Sequence, residues 1–379
     1  MKKLLLLVAV ALMLVLSIAV VPAMAADPTQ LALPGHFSYM GSPVHSYTTA
    51  SGHAVHYIDQ GKKSWRVAVL IGGAGTSVQA YELTSFARDL QFKLHIRVIC
   101  VERNGFGMTK FEPADASGKV ILAPSGAYSA DAASLAAADP VQTRIMYAHD
   151  VLEVLDHLGV SHFSIIAISG GGPFCGELAS EAAARVRSIH LAVAEYKSTD
   201  SPYYPGQLAD VRTWIIDPMW WWDMHGTMAD WIPGWQERAY DEAAFSFFVQ
   251  GEDADPHAAA MDYTIFQQTP AVVSGVKAPV FTYYGMKDKT VPPVQRDQWV
   301  GAFSSSRKIT ERNYTDGVHD VQYRHWDQIL LDVAGYGKYL IIGYKGQTRV
   351  IPQSRWTWYE KHHAVLGMDA WATAKPQAD

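Results

Sequence analysis

The chain has 379 residues, 49% of them apolar and 18% charged, with a formal net charge of −6 at pH 7. That balance belongs to a globular protein and excludes disordered and fibrous classes. Lys and Arg number 31 against 37 Asp and Glu, with no dense basic cluster, so nucleic acid is set aside as a partner.

The chain begins Met1, Lys2, Lys3, continues through an apolar run over 4–21 and reaches Pro22-Ala23-Met24-Ala25. A short basic start, an apolar stretch and a small-x-small ending predict a secretory signal over 1–25, cleaved after Ala25. The expectation is an exported protein, periplasmic or secreted, without stable membrane insertion after cleavage. An uncleaved anchor is the alternative, because 18 apolar or small residues nearly span a bilayer. Only Cys100 and Cys175 occur, which excludes a disulfide scaffold. Both lie in apolar segments, as buried free thiols or as a pair.

Short β-rich runs then alternate with helical patterns. Residues 44–50 and 53–59 read as a hairpin joined at Ser51-Gly52, and 66–71 as a compact apolar strand stopping at Gly72-Gly73. Helical spacing covers 80–90, a strand follows over 96–101, and 141–158 is a strong helix ended by Gly159. Residues 162–168 are apolar on both faces, as a buried parallel strand requires. A helix from about Gly172 and a strand over 188–194 follow. After an interruption come a strand over 280–284, a helix over 294–303, a strand over 308–314 and a helix over 321–333. This order predicts an α/β fold with a mostly parallel central sheet flanked by helices. The interruption, 198–276, holds six of the twelve Trp residues (Trp214, Trp220, Trp221, Trp222, Trp231, Trp235) and reads as an inserted, mainly helical cap. An ordinary aromatic subdomain is the competing reading. The expected layout is thus a signal over 1–25, core over 26–197, cap over 198–276, core over 277–336 and a C-terminal extension over 337–379.

The most informative stretch is Ala167-Ile168-Ser169-Gly170-Gly171, where a buried strand meets a helix through small-x-Ser-x-small. A serine lifted from such a corner needs small residues two positions away on either side, to keep clear of neighbouring backbone. The helix after it turns its positive end toward the serine. This turn resembles the nucleophile elbow of the α/β-hydrolase superfamily, and the resemblance covers about 44–333.

The resemblance implies a nucleophile, acid, histidine order. Asp288, in Gly285-Met286-Lys287-Asp288 before Val291-Pro292, resembles the family's acid loop; Glu195 is the alternative acid. His319, in Gly317-Val318-His319, resembles its histidine loop, with His325 the alternative base. Ala74, after Gly72-Gly73, and Gly170 would supply oxyanion-hole N–H groups, although Gly72 stands where many members carry His. Read instead as a dinucleotide fingerprint, Gly73-x-Gly75 lacks its third glycine, since Val78 stands there. Asn104-Gly105-Phe106-Gly107 resembles a family turn and reads as structural. His53 and His56, three apart on a strand, face opposite sides and make no metal pair.

The resemblance implies a serine hydrolase acting through an acyl-enzyme on an ester of a small, partly apolar substrate, with no cofactor and no metal. The alternatives are a proline-iminopeptidase-like or carbon–carbon bond hydrolase, an acyltransferase, and a non-catalytic binding protein on the same fold.

Overall fold

A computed structural model describes residues 42–367, apart from 75, 79–80, 82–87, 199–255, 269, 316 and 320. Five strands are buried along almost their whole length: β3 (Arg66–Ile71), β4 (Ile96–Val101), β5 (Phe163–Ile168), β6 (Val186–Ala192) and β7 (Val280–Gly285). Each buried Val, Ile or Leu contributes about 1.5–3 kcal/mol, so these runs take the middle of the sheet. The half-exposed β1 (Val44–Thr48), β2 (Ala54–Gln60) and β8 (Ile309–Tyr314) go to its sides. The order is β1-β2-β4-β3-β5-β6-β7-β8. Pairing is parallel from β4 through β8, while β1, β2 and β4 pair antiparallel. The exposed, charged Glu311 on edge strand β8 discourages further strand addition.

Helices connect the parallel strands and follow the last of them. They are α1 (Arg88–Lys93), α2 (Ala132–Leu135), α3 (Pro140–His157), α4 (Gly172–Glu181), α5 (Pro256–Gln268), α6 (Val294–Ala302), α7 (Val321–Arg324) and α8 (Trp326–Val333). The Asp139 side chain caps α3 by accepting from the Gln142 N–H, and Pro140 stands at its first turn. Among the described residues no helix is long and apolar enough to cross a membrane. The alternating elements read from sequence recur within a few residues, and the fold is the expected α/β arrangement.

Three elements differ. The strand expected over 188–194 stops at Ala192, because Val193 turns to φ 42°. The helix expected over 321–333 divides at His325, whose φ of −116° leaves helical geometry. The helix expected over 80–90 falls largely outside the described residues; its described part, α1, continues to Lys93. The expected signal, 1–25, lies wholly outside them, as does most of the expected cap. The described end of that cap segment contains α5, which packs on the core: Ala258 Cβ would lie 2.3 Å from a Cβ at Gly105.

The described part of the expected extension, 337–367, builds β9 (Tyr339–Gly343), β10 (Thr348–Pro352), α9 (Trp356–Lys361) and β11 (Val365–Leu366). The strands form an antiparallel sheet in the order β10-β9-β11, around a core of Leu340, Ile342, Tyr344, Ile351 and Ala364. Gln328 on α8 bonds it to the main body, donating to the Tyr339 carbonyl at 3.1 Å and accepting from the Ile341 N–H at 3.0 Å. Cys100 and Cys175 are free and buried.

A buried polar chain crosses the sheet. Ser164 Oγ lies 2.8 Å from Ser188 Oγ, which lies 2.8 Å from His190 Nε2; His190 Nδ1 lies 2.9 Å from the Tyr283 hydroxyl, which donates to Asp332 at 2.9 Å. Burial, with Arg66 and Arg312 adding to it, pushes the His190 imidazole down to about 3, so it is neutral. Since Tyr283 spends its hydrogen on Asp332, it accepts from Nδ1–H, and Nε2 accepts from Ser188. Every donor therefore points toward Asp332, which Arg312 meets through two bonds of 3.0 and 2.8 Å. Asp332→Ala strands the buried Arg312 charge and is expected to cost about 3–5 kcal/mol, read as a lower urea midpoint with an unchanged slope.

Candidate active site

Ser169 follows β5 at φ 47°, a left-handed conformation that costs a non-glycine residue about 1–3 kcal/mol. Its surroundings hold it there. The Ser169 carbonyl accepts from the Glu195 N–H at 2.7 Å. A Cβ at Gly171 would stand 2.6 Å from the Ile71 carbonyl oxygen and 2.8 Å from that of Gly72. One at Gly172 would stand 1.8 Å from the Glu195 carbonyl oxygen. The need for a small residue at 171 was legible in the sequence; the stricter need at 172 was not, since its obstacle comes from the loop after β6. Gly172→Ala is expected to destabilise the protein by about 3 kcal/mol or more, read by thermal unfolding.

Two loops press together at the far end of the sheet to bring a carboxylate and an imidazole to the serine. After β7, Met286 N–H donates to the Tyr314 carbonyl at 2.9 Å and Lys287 N–H to that of Gly317 at 3.0 Å. A Cβ at Gly285 would collide with the Gly317 carbonyl carbon and oxygen at 2.4 Å. Asp288 is thereby fixed: its Oδ1 accepts from Thr290 N–H at 2.8 Å and Val291 N–H at 3.0 Å. Its Oδ2 lies 2.9 Å from His319 Nδ1, and His319 Nε2 lies 3.0 Å from Ser169 Oγ, 150 residues away in sequence. Asp288 and His319 are both buried. An ionised carboxylate only accepts, so Nδ1–H donates to Asp288 and the Nε2 lone pair faces the serine hydroxyl.

The alternative residues sit elsewhere. His325 stacks on Tyr314 with centroids 3.6 Å apart, and burial holds its imidazole well below the usual range. Glu195 supplies the backbone that locks the serine corner, while Asp288 takes the place beside Nδ1.

The expected oxyanion donors lie beside the serine. A Cβ at Gly73 would stand 3.3 Å from Ser169 Cβ, and one at Gly170 would stand 3.0 Å from Ala74 N and 2.5 Å from Phe266 Cζ. Behind them, the Asn104-Gly105-Phe106-Gly107 turn has Gly105 at φ 81° and Gly107 at φ 56°. Glu102 organises it, accepting from Met108 N–H, Thr109 N–H and the Thr109 hydroxyl. Burial, against those hydrogen bonds, pushes its carboxyl up to about 7. His53 bonds Asp150 at 2.9 Å and His56 bonds Thr109, so the two imidazoles serve separate contacts. Sequence reading missed Arg103, which donates to the carbonyls of Gly72 and Gly73, and Phe266 on α5. An arginine next to a glycine turn is an available signal, but its acceptors lie some 30 residues away.

Comparison with known proteins bears on the fold. The chain resembles the esterase from Exiguobacterium antarcticum (16% identity, TM-score 0.54, covering 79% of this chain and 100% of that one). It resembles the enol-lactonase from Burkholderia xenovorans (16%, 0.52, 77% and 99%) and the bromoperoxidase from Bacillus anthracis (18%, 0.50, 75% and 96%). Three activities on one architecture make this a likeness of fold. No curated protein matches the chain. The family model for the alpha/beta hydrolase fold matches residues 67–330, spanning the serine, carboxylate and imidazole loops, and the chain belongs to the alpha/beta hydrolase family.

Proposed function

We propose that the protein is a serine hydrolase that cleaves esters of small, partly apolar substrates through an acyl-enzyme. One observation carries the reading: the unbroken run of hydrogen bonds from Asp288 through His319 to a serine held at φ 47°. Ser169 Oγ attacks the carbonyl carbon while its proton passes to His319 Nε2. The electron pair displaced onto the carbonyl oxygen is met by the N–H groups of Ala74 and Gly170, each such donor being worth about 3 kcal/mol. His319 returns the proton to the departing alkoxide, and water repeats the sequence to release the acid. Asp288 holds the imidazole in the tautomer that can accept. None of these steps calls for a metal or cofactor.

Esters are favoured as substrates because this machinery suits an activated carbonyl and an esterase is among the fold neighbours. The Trp-rich segment 198–276, as a cap, would add apolar contact. If shortening residues 220–222 to alanine left chain-length preference unchanged, that part would fall. Export rests on residues 1–25; recovery of the protein from the cytoplasm with Met1 retained would overturn it.

The test of the reaction is labelling with a fluorophosphonate followed by peptide mapping, alongside panels of esters, aminoacyl amides and diketones with and without an acceptor alcohol. The expected result is a single adduct on Ser169 with ester turnover. An unlabelled Ser169 in folded protein would remove the proposal.

A further inference from the structure

Arg103, just past β4, is nearly inaccessible, and its described hydrogen bonds go to backbone and to α5. Its three kinds of nitrogen all have acceptors. Nη1 donates to the Gly72 carbonyl at 2.6 Å, Nη2 to the Gly73 carbonyl, and Nε to Asp262 Oδ2 at 3.0 Å. The rings of Phe106 and Phe174 lie 5.2 Å from the guanidinium carbon and fix its plane.

The bond to Gly73 has a directional consequence. The Gly73 carbonyl and the Ala74 N–H belong to one planar peptide unit, and in the trans form they point to opposite sides. Pinning that oxygen on Arg103 therefore aims the Ala74 N–H away from Arg103. Ser169 lies close against Gly73, and Gly170 close against Ala74 N. Thr76 Oγ1 also donates to the Gly73 carbonyl, at 2.8 Å, but it moves with the same loop. Arg103 is anchored outside it, by β4 and by Asp262 of α5. Phe266, one turn beyond Asp262 on that helix, closes against Gly170. A single helix thus backs both N–H groups.

We propose that Arg103 is a positioning residue, held by Asp262, that keeps the Gly73–Ala74 peptide oriented with its N–H toward the developing oxyanion. This rests on the hydrolase reading above. A turned peptide would present a carbonyl oxygen where negative charge forms, so the effect falls on the transition state and spares substrate binding.

The experiment compares wild type with Arg103→Met, Arg103→Lys and the paired Arg103→Met with Asp262→Leu, which leaves no buried charge alone if the single change fails to fold. The probes are p-nitrophenyl acetate and a trifluoromethyl ketone that forms a tetrahedral adduct. The folded Met variant is expected to lose about 100-fold in kcat with KM within about threefold. Ketone affinity is expected to fall in parallel with kcat/KM, and the midpoint of the pH–rate profile to stay in place because the imidazole and its carboxylate are untouched. Lys, with one charged nitrogen in place of the planar fork, is expected to recover part of the loss. The proposal is overturned if folded variants keep wild-type kcat, if the loss lies in KM alone, or if ketone affinity is retained. Wild type that neither turns over esters nor takes the fluorophosphonate would instead bring down the hydrolase reading, and this proposal with it.

Discussion

Ser169→Ala is expected to reduce ester turnover by about 10⁴-fold or more, with a melting temperature close to that of wild type. The hydroxyl is the only atom removed, and it sits at a half-buried position whose sole described side-chain bond is to His319 Nε2. The residual rate would come from the oxyanion donors and substrate binding. Kinetics on one ester, paired with a thermal melt, checks both halves. Turnover near the wild-type rate would mean that another group attacks.

Asp288→Asn separates tautomer control from charge and from folding. The amide oxygen can keep the Oδ1 bonds to Thr290 and Val291 N–H, so the loop after β7 should hold its shape. The amide nitrogen then faces His319 Nδ1 as a donor. That pairing puts the imidazole proton on Nε2, aimed at the serine hydroxyl, so the ring can no longer accept. A loss of about 10⁴-fold in kcat is expected with little change in KM. Wild-type activity in this variant would instead point to Glu195, the carboxylate that the sequence offers as an alternative.

Much of the site was legible before any coordinates. The β5–Ser169–α4 corner announces itself locally, because a two-faced apolar run, a serine and small flanking residues all fall within a dozen positions. Asp288 and His319 were reachable through the loops that carry them. What stayed hidden depends on contacts between distant segments. Nothing near Gly172 shows that the Glu195 carbonyl stands 1.8 Å from where a side chain would begin. Arg103 looks like part of a glycine turn until β3 and β4 are laid side by side, which places the Gly72 and Gly73 carbonyls in reach. Val193 carries a β-branched side chain that favours strand, and tertiary packing overrides that preference with a φ of 42°. The break at His325 has the same character: the apolar period runs straight through it, and the stacking of its ring on Tyr314 marks where the helix divides. The small C-terminal sheet is short-stranded and bonded through Gln328, so its pattern carries little signal of its own.

The two sequestered sulfurs have a practical consequence. Burial, with Glu102 adding to it and Arg103 opposing, pushes the Cys100 thiol up to about 12, and burial raises Cys175 as well. Thiolate is the species that alkylating dyes capture, so the native protein should stay dark to maleimides without any cysteine being engineered away. One cysteine introduced at an exposed point such as Lys361→Cys would then accept a fluorophore at a single place, ready for distance or anisotropy measurements on the intact chain.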